Sequence, residues 1–336
     1  MKRATATIRD VAREADVSVA SASRALNGHA NVTPATRDRV IAAANKLAYV
    51  PHLGARSLTM ARTNTIGVVL PDLFGEFFSE VIRGIDRAAH AVGLQLLLSN
   101  MHGDASETTQ AIRAMRGRVD GLLLMSPGID ADFLTAHLPA GLPTVVLGSR
   151  IEGEGHSSIA IDNEGGARAM VAHLVACGYR RIAMISGPEG NGDSDGRCAG
   201  FRAAVADLLG DHDPVVLPGD FSEDAGYAAG AAILADRRGI DAVFAGNDMM
   251  AVGCMAALSA AGIAVPNGIA VAGFDDVPIA RYVQPPLTTM QVHIAEMGTR
   301  AFETLMALIA SPDAPPPSPQ TLEPELVVRR STRLSG

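Results

Sequence analysis

Tryptophan is absent from the 336 residues, aromatics make up only 4%, and there are three cysteines. Cys177, Cys198 and Cys254 show no CxxC spacing and stand among apolar or small neighbours, so they read as reduced packing residues rather than a disulfide framework or a metal site. No apolar run reaches the roughly 18 to 20 residues of a membrane-crossing helix. The start MKRATATIRD also lacks the apolar core of a signal peptide, so a cytoplasmic protein without a membrane partner is expected. Enzymatic signatures are missing as well. There is no GxSxG elbow, HExxH or dinucleotide fingerprint, and the histidines, His173 and His293 among them, are scattered without ligand spacing. Neither catalysis nor a cofactor is expected. The loop PEGNGDSDG at 188–196 lacks the GxxxxGK[ST] of a phosphate loop. Its Asn191, Asp193, Asp195 and Gly196 fit half a calcium loop, but the twelfth position is Arg202 where a bidentate Glu is required, so no metal is expected.

What the chain does have is unevenly spread. Its length exceeds the roughly 250 to 300 residues at which a single core stops growing, so several domains are expected. The net charge of −8 is a sum of unlike parts: residues 1–63 carry ten Lys and Arg against four acids, or +6, and the remainder carries 18 against 32, or −14. A basic head on an acidic body suits a chain whose head meets nucleic acid.

Thr7-Ile8-Arg9-Asp10 is a capping-box-like start, followed by Val11, Ala12 and Ala15 at helical spacing. Asp16 falls at a turn, Ser18 caps a second helix, and Thr33-Pro34 opens a third. Two short helices joined by so tight a turn form a helix-turn-helix, whose second helix lies in the major groove of DNA. That helix opens VSVASASRALN. Slim Val19 and Ala20 suit thymine methyls and a close approach to the groove floor, Arg24 suits guanine O6 and N7, and Ser21 and Ser23 suit phosphates. Ala22 and Leu26 are left for the bundle's core.

The stretch from Thr7 through Leu58 resembles the head of the LacI/GalR family of bacterial transcription regulators, and the likeness continues along nearly the whole chain. The resemblance makes Val19, Ala20 and Arg24 base-reading residues, with Thr7, Ser18, Ser21, Ser23 and Asn27 also on DNA. It makes Tyr49 to Leu58 a hinge in which His52, Ala55 and Arg56 meet DNA and Leu58 wedges into the minor groove. An apolar wedge kinks DNA most cheaply at flexible steps. Two positions depart from the pattern: Asp16 stands where Gly or Asn is usual, and Ala22 where Val is common.

Beyond the head, Thr65 to Pro71 and Arg181 to Gly187 are short buried runs, each followed by a loop, a helix and another strand (Leu94 to Leu98, Val215 to Leu217); the second helix is expected from about Asp195. Such alternation gives doubly wound parallel sheets with ligands at the strands' carboxyl ends. The resemblance implies two subdomains of the periplasmic-binding-protein type: head 1–50, hinge 51–63, an N-terminal subdomain of 64–162 and 292–321, and a C-terminal subdomain of 163–291 and 322–336.

A polar ligand such as a sugar needs fork-like donors, carboxylate acceptors and an apolar face. Arg197, in the pattern Arg197-Cys198-Ala199-Gly200-Phe201, matches the family's effector-gripping arginine. Asn247-Asp248 and Asp275-Asp276 each follow a strand; the first of each pair is expected to hold ligand and the second to cap or cross-link. Asp193 matches a contact position, and Phe74, Phe77 and Phe221 are the expected stacking faces. The reading is a DNA-binding repressor, a homodimer or higher oligomer on a pseudo-palindromic double-stranded operator, controlled by a sugar or sugar derivative. A sugar-binding protein without DNA function and a nucleobase-responsive regulator of the same family are the alternatives.

Overall fold

The structure, a computed structural model, describes residues 6–26, 31–49, 62–73, 75–101, 105–129, 131–139, 141–149, 156–235 and 239–332. The chain forms two compact units that divide between Thr63 and Asn64.

The first unit is a three-helix cluster. Helix α1 (Ile8–Glu14) starts where the Thr7 amide and hydroxyl both donate to the Asp10 carboxylate, at 2.9 and 2.7 Å. Asp16 turns the chain at φ 52°, a left-handed value that Asp adopts more readily than most residues. Helix α2 (Val19–Leu26) follows, its first turn closed by the Ser21 amide donating to Ser18 Oγ at 3.1 Å. Helix α3 (Pro34–Lys46) begins at Thr33, whose hydroxyl accepts from the Thr36 amide. The core between them is nearly all small: Val11, Ala12, Ala15, Ala22, Ala25, Val40, Ala43 and Ala44. Ala25 joins Ala22 among the fully buried residues, and Leu26, expected in the core, packs against it half-buried.

The second unit opens with β1 (Thr65–Leu70), α4 (Glu76–Ala91), β2 (Gln95–Asn100), α5 (Ala105–Met115), β3 (Gly121–Met125), α6 (Ala131–His137), β4 (Thr144–Leu147) and β5 (His156–Ile161). Strands β1, β3 and β4 are almost wholly buried, as expected of parallel strands covered on both faces. A second set follows: α7 (Asn163–Ala176), β6 (Ile182–Ile185), α8 (Gly192–Leu209), β7 (Val216–Leu217), α9 (Glu223–Ala235), β8 (Ala242–Ala245), α10 (Asp248–Ala260) and β9 (Ala270–Ala272). The chain then runs through β10 (Thr289–Gln291) and α11 (Ile294–Ala310) to β11 (Gln320–Leu322) and β12 (Glu325–Val327). Strand β11 lies parallel beside β5, completing a six-stranded sheet β11-β5-β4-β3-β1-β2. The other sheet is four-stranded, β7-β6-β8-β9, and β10 pairs antiparallel with β12. Both large sheets are wholly parallel, and each reverses strand order beside its first strand, β1 or β6, where an open α/β sheet has its ligand crevice.

Helix α8 starts at Gly192, three residues before the expected position. Asn191 caps it, its side chain accepting from the amides of Asp193 and Ser194 at 3.1 Å each, so glycine and carboxylates that read as loop become the first helical turn. Cys254 is fully buried and its thiol is pushed up to about 12 by that burial, which keeps it an unreactive packing group.

Helices α4 and α11 touch backbone to backbone. A Cβ on Gly84 would stand 1.9 Å from the Ala295 carbonyl oxygen, and one on Gly298 would stand 2.4 Å from that of Val81. In an open helix Gly→Ala stabilises by about 1 kcal/mol. Here Gly84→Ala should instead destabilise the body by about 2 to 3 kcal/mol, because the helices must separate. Denaturant unfolding checks the sign, and a more stable variant would refute so close an approach.

Candidate functional site

On the head, α2 presents an outward face opposite its buried Ala22 and Ala25. Val19 is 44% exposed, Ala20 and Arg24 are exposed too, and Arg24 Nε donates to the Ala20 carbonyl at 3.2 Å, laying the arginine along this face. Ser18 and Ser21 hydroxyls lie 2.9 Å apart within the cap, Thr7 is exposed with its hydroxyl on Asp10, and Ser23 is half-buried. Asn27, His52, Ala55, Arg56 and Leu58 lie outside the described residues, as does Phe74. If Arg24 reads a guanine, Arg24→Ala costs about 1 to 3 kcal/mol of binding to the best site and relaxes preference at one base pair. Competition binding against base-substituted sites tests this; equal weakening on scrambled DNA would count against it.

In the body, the carboxyl ends of the strands converge on a cavity of about 560 Å³. Segments after β1 and β3 supply Phe77 and Pro127; those after β6, β7, β8 and β9 supply Asp193 and Arg197, Phe221, Asn247 and Asp275. Two hydrogen bonds tie the halves beside it: the Gly192 amide donates to the Pro127 carbonyl at 2.7 Å, and the Ile279 amide to Glu76 Oε2 at 2.9 Å.

The polar centre is Arg197, 3% exposed on the second turn of α8. Its Nε donates to Asn163 Oδ1 at 2.8 Å, Nη1 donates to the Gly246 carbonyl, and Nη2 stands 3.1 Å from Asp275 Oδ1. The guanidinium carbon lies 3.9 Å from the Phe274 ring centroid, a cation–π contact. Asn163 also donates to Asp193 Oδ1 at 2.7 Å, so one amide joins the arginine to a second carboxylate. Burial raises the Asp193 carboxyl, opposed by the Arg197 charge and the Asn163 hydrogen bond. Asp275 is pushed up to about 6, by burial first, with the Asp193 charge adding to it and Arg197 opposing it. Although Arg197 is within ion-pair reach, Asp275 Oδ1 has no aligned donor and stands as a buried acceptor on the cavity wall.

Phe221 holds φ 72° and Asp275 φ 106°, left-handed values that cost energy for residues with a Cβ and gather at functional sites. The Phe221 ring lies against Gly187, where a Cβ would come within 2.3 Å of it, so glycine there lets the ring lie flat beside the cavity, 5.9 Å from Arg197. Phe77 stands edge-on to Phe78 at 5.6 Å on the opposite wall.

In Asn247-Asp248 the capping role falls to the first residue, which also lines the cavity as expected of a ligand contact, and the second is the expected cross-link. Asn247 is itself the cap of α10: its Oδ1 accepts from the Met250 amide at 2.9 Å while its Nδ2 donates to the Phe221 carbonyl at 3.0 Å. Besides lining the cavity, it thereby holds Phe221 in place. Asp248, fully buried, accepts from the Thr289 hydroxyl at 2.5 Å and the Val277 amide at 2.9 Å; burial, then the charge of Asp275, raises its carboxyl well above the usual range. Asp276 accepts from Arg329 at 2.6 Å and Gln291 at 2.8 Å, pinning β9's end to the crossing strands. Asn163 was not singled out from sequence, since an Asn at the start of a helix reads as ordinary capping. His173 donates to or accepts from the Thr332 hydroxyl at 2.9 Å, and His293 lies 3.6 Å from Glu325; neither lines the main cavity.

A helix-turn-helix head followed by two parallel α/β layers around an apolar-walled cleft with a charged centre defines a regulator with a ligand-binding body. Residues 7–52 match the model for bacterial regulatory proteins of the lacI family, and 171–332 match the periplasmic binding protein-like domain. The chain is 36% identical over 330 residues to the HTH-type transcriptional regulator GalR of Salmonella typhimurium (strain SL1344), covering 97% of this chain and 96% of that one. Among solved structures, it resembles the lac repressor dimer bound to operator and the anti-inducer ONPF, with 27% identity, TM-score 0.85, and coverage of 98% and 100%. It also resembles the transcriptional regulator CelR in complex with cellobiose, with 32% identity, TM-score 0.71, and coverage of 97% and 99%. The chain belongs to the lacI family of bacterial transcriptional regulators, and it is a DNA-binding regulator. Among the described residues, no helix is long and apolar enough to cross a membrane.

Proposed function

We propose that the chain is a cytoplasmic repressor, working as a homodimer on a pseudo-palindromic operator, whose affinity for that operator is set by a sugar held in the body's cleft. The observation that carries the ligand class is the buried Asp275 carboxylate, ion-paired with Arg197 but with no aligned hydrogen-bond donor on Oδ1, in a wall that includes Phe221 and Phe77. A polyol offers hydroxyl donors to the carboxylate and an apolar ring face to phenylalanine. Arg197, Asp275, Asp193 and Phe221 contact the ligand in this reading, with Asn247 holding Phe221 in place.

Two copies are needed because one head reads a half-site. Within each head, Val19, Ala20 and Arg24 read bases, Thr7, Ser18, Ser21, Ser23 and Asn27 position the head on the backbone, and the hinge with Leu58 enters the minor groove. The ligand changes operator affinity only to the extent that it binds the two body conformations unequally. The body binds its ligand without transforming it. Selecting sites from random DNA and then titrating sugars against the bound complex tests the whole reading. A pseudo-palindrome whose occupancy shifts with one sugar is expected; occupancy indifferent to every sugar that binds the protein would overturn the control mechanism.

A further inference from the structure

Among the described residues, the lining of the cleft is strongly one-sided in charge. Besides Asp193 and Asp275, five more carboxylates line it, including Glu189 and Glu223, against a single basic side chain among the described lining residues, Arg197. Most of that arginine is already committed: Nε faces Asn163, Nη1 the Gly246 carbonyl and Nη2 Asp275, and one face of the guanidinium plane covers Phe274. Three of its five N–H groups are thereby engaged and its charge is balanced by Asp275 and Asp193, which leaves at most two donors and little net positive charge for an anionic ligand. What the wall offers instead is an acceptor side chain, Asp275, 4% exposed, whose Oδ1 lies within ion-pair reach of Arg197 but has no aligned hydrogen-bond donor. A concave wall of one sign with little solvent focuses its field inward, drawing donors and cations and repelling anions.

We propose that the cleft selects its ligand by charge: the effector is an uncharged or amino-substituted polyol, and sugar acids, sugar phosphates and nucleotides are rejected at the same site. This rests on the reading of the cleft as a sugar site and narrows it. Asp275 and Asp193 accept the ligand's hydroxyl hydrogens, an ammonium is tolerated beside them, and an added negative charge meets like charge on both walls.

Calorimetric titration of the full chain tests it with matched probes. Ribose, glucose, galactose and cellobiose are compared with glucosamine and galactosamine, with gluconate and galacturonate, and with ribose 5-phosphate and glucose 6-phosphate. Hypoxanthine and guanine are run beside their 5′-monophosphates. At least one neutral or amino sugar is expected to bind, with its acid or phosphate at least about 100-fold weaker, since like charges brought together cost several kcal/mol and 1.4 kcal/mol is tenfold. Glu189→Gln combined with Glu223→Gln is expected to narrow that ratio by roughly tenfold, because the repulsion comes from the walls as a whole. An acid or phosphate that binds within about tenfold of its neutral parent, or a ratio untouched by the double substitution, would overturn charge selection and leave the sugar reading standing. Binding of a free purine base with its monophosphate rejected would overturn the sugar reading while supporting charge exclusion. Silence across the whole panel would overturn both.

Discussion

Asp275→Asn stabilises the unliganded protein above pH 6, by up to roughly 3 kcal/mol, and the gain is gone below about pH 4. The sign follows from burial. An aspartate near 3.8 in the unfolded chain is held at about 6 in the fold, so the native state binds a proton more tightly than the unfolded state does. Stability conferred on the protonated form is fully present below 3.8. It is lost as pH rises through 6, where the buried carboxylate is ionised without an aligned donor on Oδ1. Asparagine keeps the size and an acceptor oxygen for Arg197 and never ionises, so its stability lacks this decline. The same substitution removes the carboxylate that the ligand's hydroxyls would meet, and sugar affinity should fall by roughly tenfold to 100-fold. A more stable protein that senses its ligand poorly is the familiar trade at a strained site. Urea unfolding of both proteins across pH 4 to 8 measures it; a difference that does not change with pH would show that Asp275 does not titrate in this range.

Arg197→Leu has the opposite effect on stability and is the larger. It strands Asp193 and Asp275 in the interior with no cation, and breaking a buried pair by removing one partner costs about 3 to 5 kcal/mol. Leucine restores some packing on Phe274 but not the hydrogen bonds to Asn163 and Gly246. Two observations separate this electrostatic account from simple mispacking. The loss should shrink toward acid pH as the stranded carboxyls protonate, and adding Asp275→Asn to Arg197→Leu should recover part of it. If the double variant is no more stable than Arg197→Leu alone, the carboxylates are not what the arginine balances.

Local signals in the sequence located the secondary structure well because capping and burial patterns act over a few residues. Thr33-Pro34 and Ser18 open helices as read, and β1 and β6 are the buried runs expected. The start of α8 escaped because Asn191, Asp193 and Asp195 read equally well as loop ligands, and only the cap geometry shows that they belong to a helical turn. In the cleft, Arg197 was legible from its RxxGF pattern. The bonds that hold it were not, because they join Asn163, Arg197, Gly246 and Asp275, residues far apart in the chain that meet only once both sheets are built. Asn247 illustrates the limit in another way: its place after β8 was clear, while the direction of its amide, spent on Met250 and Phe221, was set by neighbours no spacing reveals.

The two hydrogen bonds that bridge the halves, Gly192 to Pro127 and Ile279 to Glu76, bear on time as well as on affinity. Where exchange of the proposed sugar requires the halves to part, both must open together; encounter is then gated rather than limited by diffusion, and the residence time follows how often the halves part. The duration of a response, once the sugar outside has gone, is then a property of two backbone amides that never touch it.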